Sequence, residues 1–178
     1  MKPILTPPPS PRRRRLLAAA LGLGAVHRAS AHGSAAHATA PRSAAAEQQA
    51  WGIAGEDRLA HRTVAFTMGD DMRFHPPHFD ARLGETLRLR LHNRGRLMHE
   101  FVLGTREALE EHAALMLKFP DMEHGEAWMA HVPPGRRAEI VWTFNRPGDF
   151  EFACLIAGHH QAGMKGTIRV TDTPRRGV

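Results

Sequence analysis

Thr86-Leu-Arg-Leu-Arg-Leu-His-Asn93 alternates without a break, placing Leu87, Leu89 and Leu91 on one side and Arg88, Arg90 and His92 on the other. A period of two is the period of a strand with one face buried and one in water. Weaker copies of the pattern flank it: Val64, Phe66 and Met68; Ile140, Trp142 and Phe144; Phe150, Phe152 and Cys154; Ile168 and Val170. Turn chemistry separates them at Leu83-Gly84, Arg94-Gly95, Pro133-Pro134-Gly135 and Arg146-Pro147-Gly148. From about Arg62 onward the chain therefore reads as an all-β sandwich of six to eight antiparallel strands. One segment departs from that rule. Thr105 to Lys118 predicts an inserted helix, with Thr105 as N-cap, Glu107 in the first turn, Lys118 in the last, and Leu109, Ala113, Met116 and Leu117 as its apolar stripe.

The chain is 178 residues long, with a net charge of +6. That charge sits at one end: Lys2, Arg12 to Arg15 and Arg28 meet no acidic residue in the first 28 positions, and the remainder is close to neutral. The basic balance is therefore no argument for a nucleic-acid partner. Residues 1–31 read as an export signal, with a basic run, an apolar stretch from Leu16 to Val26 and an Ala29-Ser30-Ala31 cleavage site. The apolar stretch is too short to span a bilayer, which takes about 20 residues. Both the general secretory and the twin-arginine routes suit the Arg pairs. Residues 32–55, rich in Ala, Ser and His, read as a flexible leader; 56–173 form the folded domain and 174–178 a frayed tail. Expected location is the periplasm. Export would place His32 at the mature N-terminus, where an amine and an imidazole could chelate copper; an ordinary disordered first residue is the simpler reading.

One Cys stands against 13 His and 8 Met. In Cys154-Leu-Ile-Ala-Gly-His159-His-Gln-Ala-Gly-Met164 the spacing C-x4-H-x4-M offers thiol, imidazole and thioether, with Gly158 and Gly163 supplying bends that could aim all three at one point. His99 provides a second imidazole, and its parity with Phe101 and Leu103 sends it toward the core, as Cys154 is sent by its parity with Phe150 and Phe152. Two imidazoles and a thiolate with a long, weak axial Met is a type 1 copper arrangement. A Cys nucleophile would lack an oxyanion hole and leave the Met unexplained; zinc would favour more thiolates or a third imidazole. His160 is a wrong-register competitor for His159.

On these residues, 62–171 resemble a cupredoxin, the blue-copper family of plastocyanin, azurin and rusticyanin. The resemblance implies a Greek-key β-sandwich, and C-x4-H-x4-M is similar to the rusticyanin-type loop. Asn93-x5-His99-Glu-Phe-Val-Leu-Gly104 with Cys154-Leu-Ile-x-Gly-His159 resembles the periplasmic cupredoxins of copper tolerance. The family often has Pro where this chain has Ala157, a change that frees a fixed φ. The His-x-His pairs of laccases and a second copper domain are absent from the sequence, so the resemblance implies a non-enzymatic protein. Two roles remain open: copper handling with a one-electron redox step, or dedicated electron carriage between periplasmic redox partners. Partners would be a redox protein or a copper-handling protein, and the expected state is a monomer. Surplus donors Met68, Met72, His75, His78, Met98, His112, Met116, Met122, His124 and His131 favour copper handling. Met72, Met122 and His124, with Met116 and His112 on the helix, are candidates for a second, weaker Cu(I) site. Met68 and Met116 fit core packing better than ligation.

Overall fold

The computed structural model describes residues 46–120, 122 and 125–172. The expected export signal, the leader up to residue 45 and the tail from 173 lie outside them. Ten strands and one helix follow in chain order: β1 Ile53–Ala54, β2 Arg62–Gly69, β3 Arg73–His75, β4 His78–Arg82, β5 Glu85–Asn93, β6 His99–Gly104, α1 Arg106–Lys118, β7 Met129–Val132, β8 Arg137–Phe144, β9 Gly148–Ala153 and β10 Lys165–Thr171. They form two five-stranded sheets, ordered β1-β8-β5-β2-β3 and β4-β10-β9-β6-β7. This is a Greek-key sandwich with two short strands, β1 and β3, beyond the expected six to eight.

The alternation in β5 works as read. Leu87, Leu89 and Leu91 are buried against the second sheet, while Arg88 and Arg90 face outward and share Glu139 on the neighbouring β8 at 2.7 and 3.1 Å. Between the sheets the Phe rings interlock: Phe101 stacks on Phe152 at 4.8 Å between centroids, and Phe66 leans on both at 5.0 and 5.2 Å. Such pairs add roughly 0.5–1.5 kcal/mol each beyond their area. The expectation of purely antiparallel pairing needs correction, because β2 runs parallel to β5 and β4 parallel to β10. Chain reversal through the other sheet between β2 and β5 makes this possible, and alternation within a strand does not record which neighbour it pairs with.

Helix α1 opens as expected, with Thr105 Oγ1 accepting the Ala108 N–H at 3.2 Å. Leu109, Ala113 and Met116 pack on Val102, Met129, Ala153 and Leu155, the outer face of the second sheet. Leu117 does not join them and is 53% exposed. Eight residues beyond Leu109 is some 80° round a helix, off the centre of a stripe that Ala113 and Met116 already define.

Residues 47–55 also depart from the reading as leader. Trp51 is only 9% exposed, β1 pairs with Trp142 and Thr143 of β8, and the Trp142 indole N–H donates to the Trp51 carbonyl at 3.0 Å. Gly52 makes the approach possible. Its φ is +132°, and a Cβ there would fall 2.4 Å from both the Thr143 carbonyl oxygen and the Trp142 indole nitrogen. One large aromatic thus anchors a segment whose average composition looked too polar to fold. Trp51→Ala should destabilise the domain by about 3 kcal/mol in urea unfolding; a loss below about 0.5 kcal/mol would mean that the segment is not part of the core.

Candidate metal centre

Pairing of β6 with β9 in the register Val102 to Ala153 and Leu103 to Phe152 brings the start of β6 beside the residue that follows β9. His99 and Cys154 are thereby both fully buried at one end of the sandwich. The Glu100 backbone N–H donates to Cys154 Sγ at 3.3 Å, so the sulfur is fixed by the very strand that carries the first imidazole. From Cys154 the chain turns back on itself. His159 N–H donates to the Ile156 carbonyl, Met164 N–H to the His159 carbonyl, and Cys154 N–H to the Met164 carbonyl, all at 2.9–3.0 Å. Gly158 and Gly163, at φ +88° and +92°, make the bends. The loop delivers His159 Nδ1 to 3.3 Å from Sγ.

Among the described residues, one group of three or more His, Cys or carboxylate side chains could hold a metal: His99, Cys154 and His159, whose ligand atoms all lie within 4.8 Å of one another. The two imidazoles stand 5.1 Å apart between centroids and are inclined at 52°. Met164 is fully buried and is tied through its backbone to both Cys154 and His159. His160 lies outside the group, which takes in the histidine of the C-x4-H spacing.

Electrostatics leave the donors in a state that suits a cation. Burial pushes the Cys154 thiol up to about 12, partly opposed by the Glu100 and Ile156 N–H groups and reinforced by the Glu100 carboxylate. Burial also holds His99 and His159 below the ordinary imidazole value, with Asp70 pulling each back up. At neutral pH the pocket therefore presents a thiol and two neutral imidazoles. Both ring nitrogens of His99 are buried without a hydrogen bond of ordinary geometry. A buried polar atom left so is costly, by roughly 1–3 kcal/mol, unless something else meets it. A soft, imidazole- and thiolate-binding metal is what this donor set fits.

Three side chains support the donors in roles that the sequence reading does not assign. Asp70, at the end of β2, accepts the N–H groups of Arg96 and Leu97 at 2.9 and 3.2 Å and faces His99 Nε2 at 3.9 Å. Buried Asn93 donates to the carbonyls of Leu97 and Val132 at 2.7 and 2.8 Å. Glu100, fully buried, pairs with His131 on β7. Asn93-Arg-Gly has the local pattern of an Asx turn, a usable signal. The partners of Asp70 and Glu100 are set by strand pairing alone.

Two of the donors expected for a second copper site, Met72 and Met116, lie in different layers. Met116 belongs to the layer between α1 and the second sheet, whereas Met72, half-buried in the β2–β3 turn, packs against the core on the other face of that sheet. His112 is half-buried on α1, Met122 is 41% exposed, and His124 lies outside the described residues. Of the other surplus donors, Met68 is core, Met98 is exposed, His75 pairs with Asp71, and His78 contacts Thr167 and Asp80.

No family model matches the chain. Among curated proteins it is 48% identical to the copper-resistant cuproprotein CopI of Rubrivivax gelatinosus, over 67% of this chain and 73% of that one. It is 35% identical to CopI of Pseudomonas aeruginosa, over 89% of this chain and 97% of its relative. Among solved structures, dithionite-reduced auracyanin from Roseiflexus castenholzii superposes with a TM-score of 0.55 at 20% identity, covering 65% of this chain and 99% of that one, a likeness of fold. With the sandwich and its His-Cys-His group in place, the matched lengths show that the chain belongs to the CopI family of copper-resistant cuproproteins.

Proposed function

We propose that the protein is a periplasmic type 1 copper protein of copper tolerance, in which His99, Cys154, His159 and Met164 hold one copper ion. One observation carries the reading: a buried thiol and two neutral imidazoles converge within 4.8 Å at the end of a rigid sandwich. Copper bound there supplies one-electron chemistry between its two oxidation states. The residues supply the rest. Glu100 and Ile156 N–H groups stabilise negative charge on sulfur, and burial excludes water from His99 and Cys154. The backbone bonds from Cys154 to Met164 and from Met164 to His159 hold the donors in one arrangement whatever the oxidation state, which keeps reorganisation small. Kinship with copper-resistance proteins favours copper handling over dedicated electron carriage. Periplasmic location rests on the N-terminal signal pattern, and no helix among the described residues is long and apolar enough to cross a membrane.

Thiolate-to-copper charge transfer should give the Cu(II)-loaded protein an intense visible band, and Cys154→Ser should abolish it. Survival of the band in that variant would remove Cys154 from the site. Met164→Leu should keep the band and raise the reduction potential, because apolar bulk in place of the thioether disfavours the more highly charged Cu(II). Voltammetry of the two proteins decides it; equal potentials would dismiss Met164 as a ligand.

A thiol at about 12 is protonated at pH 7, while imidazoles held below their usual value carry no extra proton. Loading should therefore release one proton per copper near pH 7, and affinity should fall about tenfold per unit of acidification. Calorimetry in buffers of different ionisation enthalpy counts the proton, and a count of zero would contradict thiolate ligation.

A further inference from the structure

Cations ring the end of the sandwich that carries the metal centre. Arg94 and Arg96 come from the loop before His99, Arg136 from the β7–β8 turn and Arg137 from the first position of β8, and all four are exposed. Arg73 reaches in from β3 and donates to the Ala162 carbonyl at 2.9 Å, inside the loop between Cys154 and Met164. The placement is built rather than incidental. Asn93 ties the first two segments together, through its side chain to Leu97 and Val132 and through its backbone N–H to the Arg136 carbonyl at 3.0 Å. Val132 lies opposite His99 in the β6–β7 ladder, which puts both segments at the centre's own end.

Among the described residues, nearby acids do not cancel this charge. Asp70 meets Arg96 at 3.6 Å and is otherwise occupied by backbone N–H groups, and Asp71 is engaged by His75. Arg94, Arg136 and Arg137 make no ion pair with any described residue. His92 registers the field: loss of solvation and then Arg137 and Arg94 hold its imidazole below the ordinary value. Beyond the first 28 residues the chain's charges nearly balance, so the ring is a local concentration and not a share of a general excess. Within it lie exposed Leu97 and Met98, 46% and 40% accessible, next to His99. A small apolar centre inside a charged rim is the anatomy of a transient protein interface, in which the rim sets orientation and association rate.

We propose that this cationic collar is the docking surface for an acidic protein that exchanges an electron with the copper centre; the inference rests on the one-electron reading above. Acidic side chains around the partner's own redox group would meet the collar and hold that group over half-buried His159.

The test uses the copper-loaded full chain and the triple variant Arg94→Glu, Arg136→Glu, Arg137→Glu, with the corresponding Gln variant as a milder companion. Oxidation of the reduced protein by hexacyanoferrate(III), one electron passing from copper to iron, should slow at least about tenfold in the Glu variant at low ionic strength, with an intermediate loss in the Gln variant. Added salt should slow the wild type and not the Glu variant. Oligoglutamate added to the reduced, diamagnetic protein should shift amide resonances at 94–98 and 136–137 in the wild type only. Equal rates with equal salt dependence would overturn the collar, as would shifts elsewhere on the surface. Binding to phosphatidylglycerol vesicles without binding to oligoglutamate would reassign it to a membrane. Retention of the visible band in both variants keeps the folded site intact for the comparison. A wild type with no band defeats the copper reading itself, whereas a coloured wild type that reacts no faster than the Glu variant defeats the collar alone.

Discussion

Everything at the metal centre depends on the ladder between β6 and β9. Its register sets Cys154 across from Phe101 and delivers the Glu100 N–H to the sulfur at 3.3 Å. Slipping one strand of that ladder by one residue would turn its donor, Cys154 or His99, out of the core and away from the other, because side chains alternate faces with every residue. The register is held in turn by the rings on the inner faces. Phe101 stacks on Phe152 at 4.8 Å, and Phe66 and Phe74 close on the same pair. Packing of four aromatic side chains thus decides where a thiol and an imidazole meet, and fold and site are one interaction seen from two sides.

Much of this was legible in the sequence because it is periodic or local. Alternation located β2, β5, β8, β9 and β10, the Thr105 cap located α1, and the spacing from Cys154 to Met164 located a loop whose two glycines adopt positive φ. What was not legible depends on neighbours distant in the chain. Alternation states which face a residue occupies but not which strand lies beside it, so the parallel β2–β5 and β4–β10 pairings were invisible. Average composition hid Trp51, a large aromatic at the end of a run rich in Ala, Ser and His. Nothing local in the sequence marks Asp70, which folding sets 3.9 Å from His99.

Surplus sulfur is ambiguous in sequence for a different reason. Thioether is both a soft ligand and a pliable apolar filler, and a sequence count cannot separate the two uses. Met68, Met116 and Met129 are spent on packing, in two layers separated by the second sheet. Several of the extra imidazoles are likewise engaged, His75 by Asp71 and His131 by Glu100. Among the described residues, one group of His, Cys and carboxylate donors converges, and the copper-tolerance role draws its support from kinship with CopI rather than from the number of donors.

Charge around that centre is layered. Closest to the ligands stand carboxylates: Asp70 facing His99, and Glu100 beside Cys154, raising the thiol's affinity for its proton. Both are tied down, Asp70 by backbone N–H groups and Glu100 by His131, so the two carboxyl groups keep fixed positions near the donors. Fixed negative charge at short range favours the more highly charged oxidation state of a bound metal, an effect that buried surroundings strengthen. Arginines occupy the surface beyond, where water screens them from the centre and where their pull on an approaching molecule is strongest at low salt. Inner carboxylates and outer guanidinium groups therefore act at different distances: the first on the redox balance of the centre, the second on what can approach it. Asp70 joins the two layers, since the same carboxylate that faces His99 accepts the Arg96 and Leu97 N–H groups and so fixes the loop on which the collar begins.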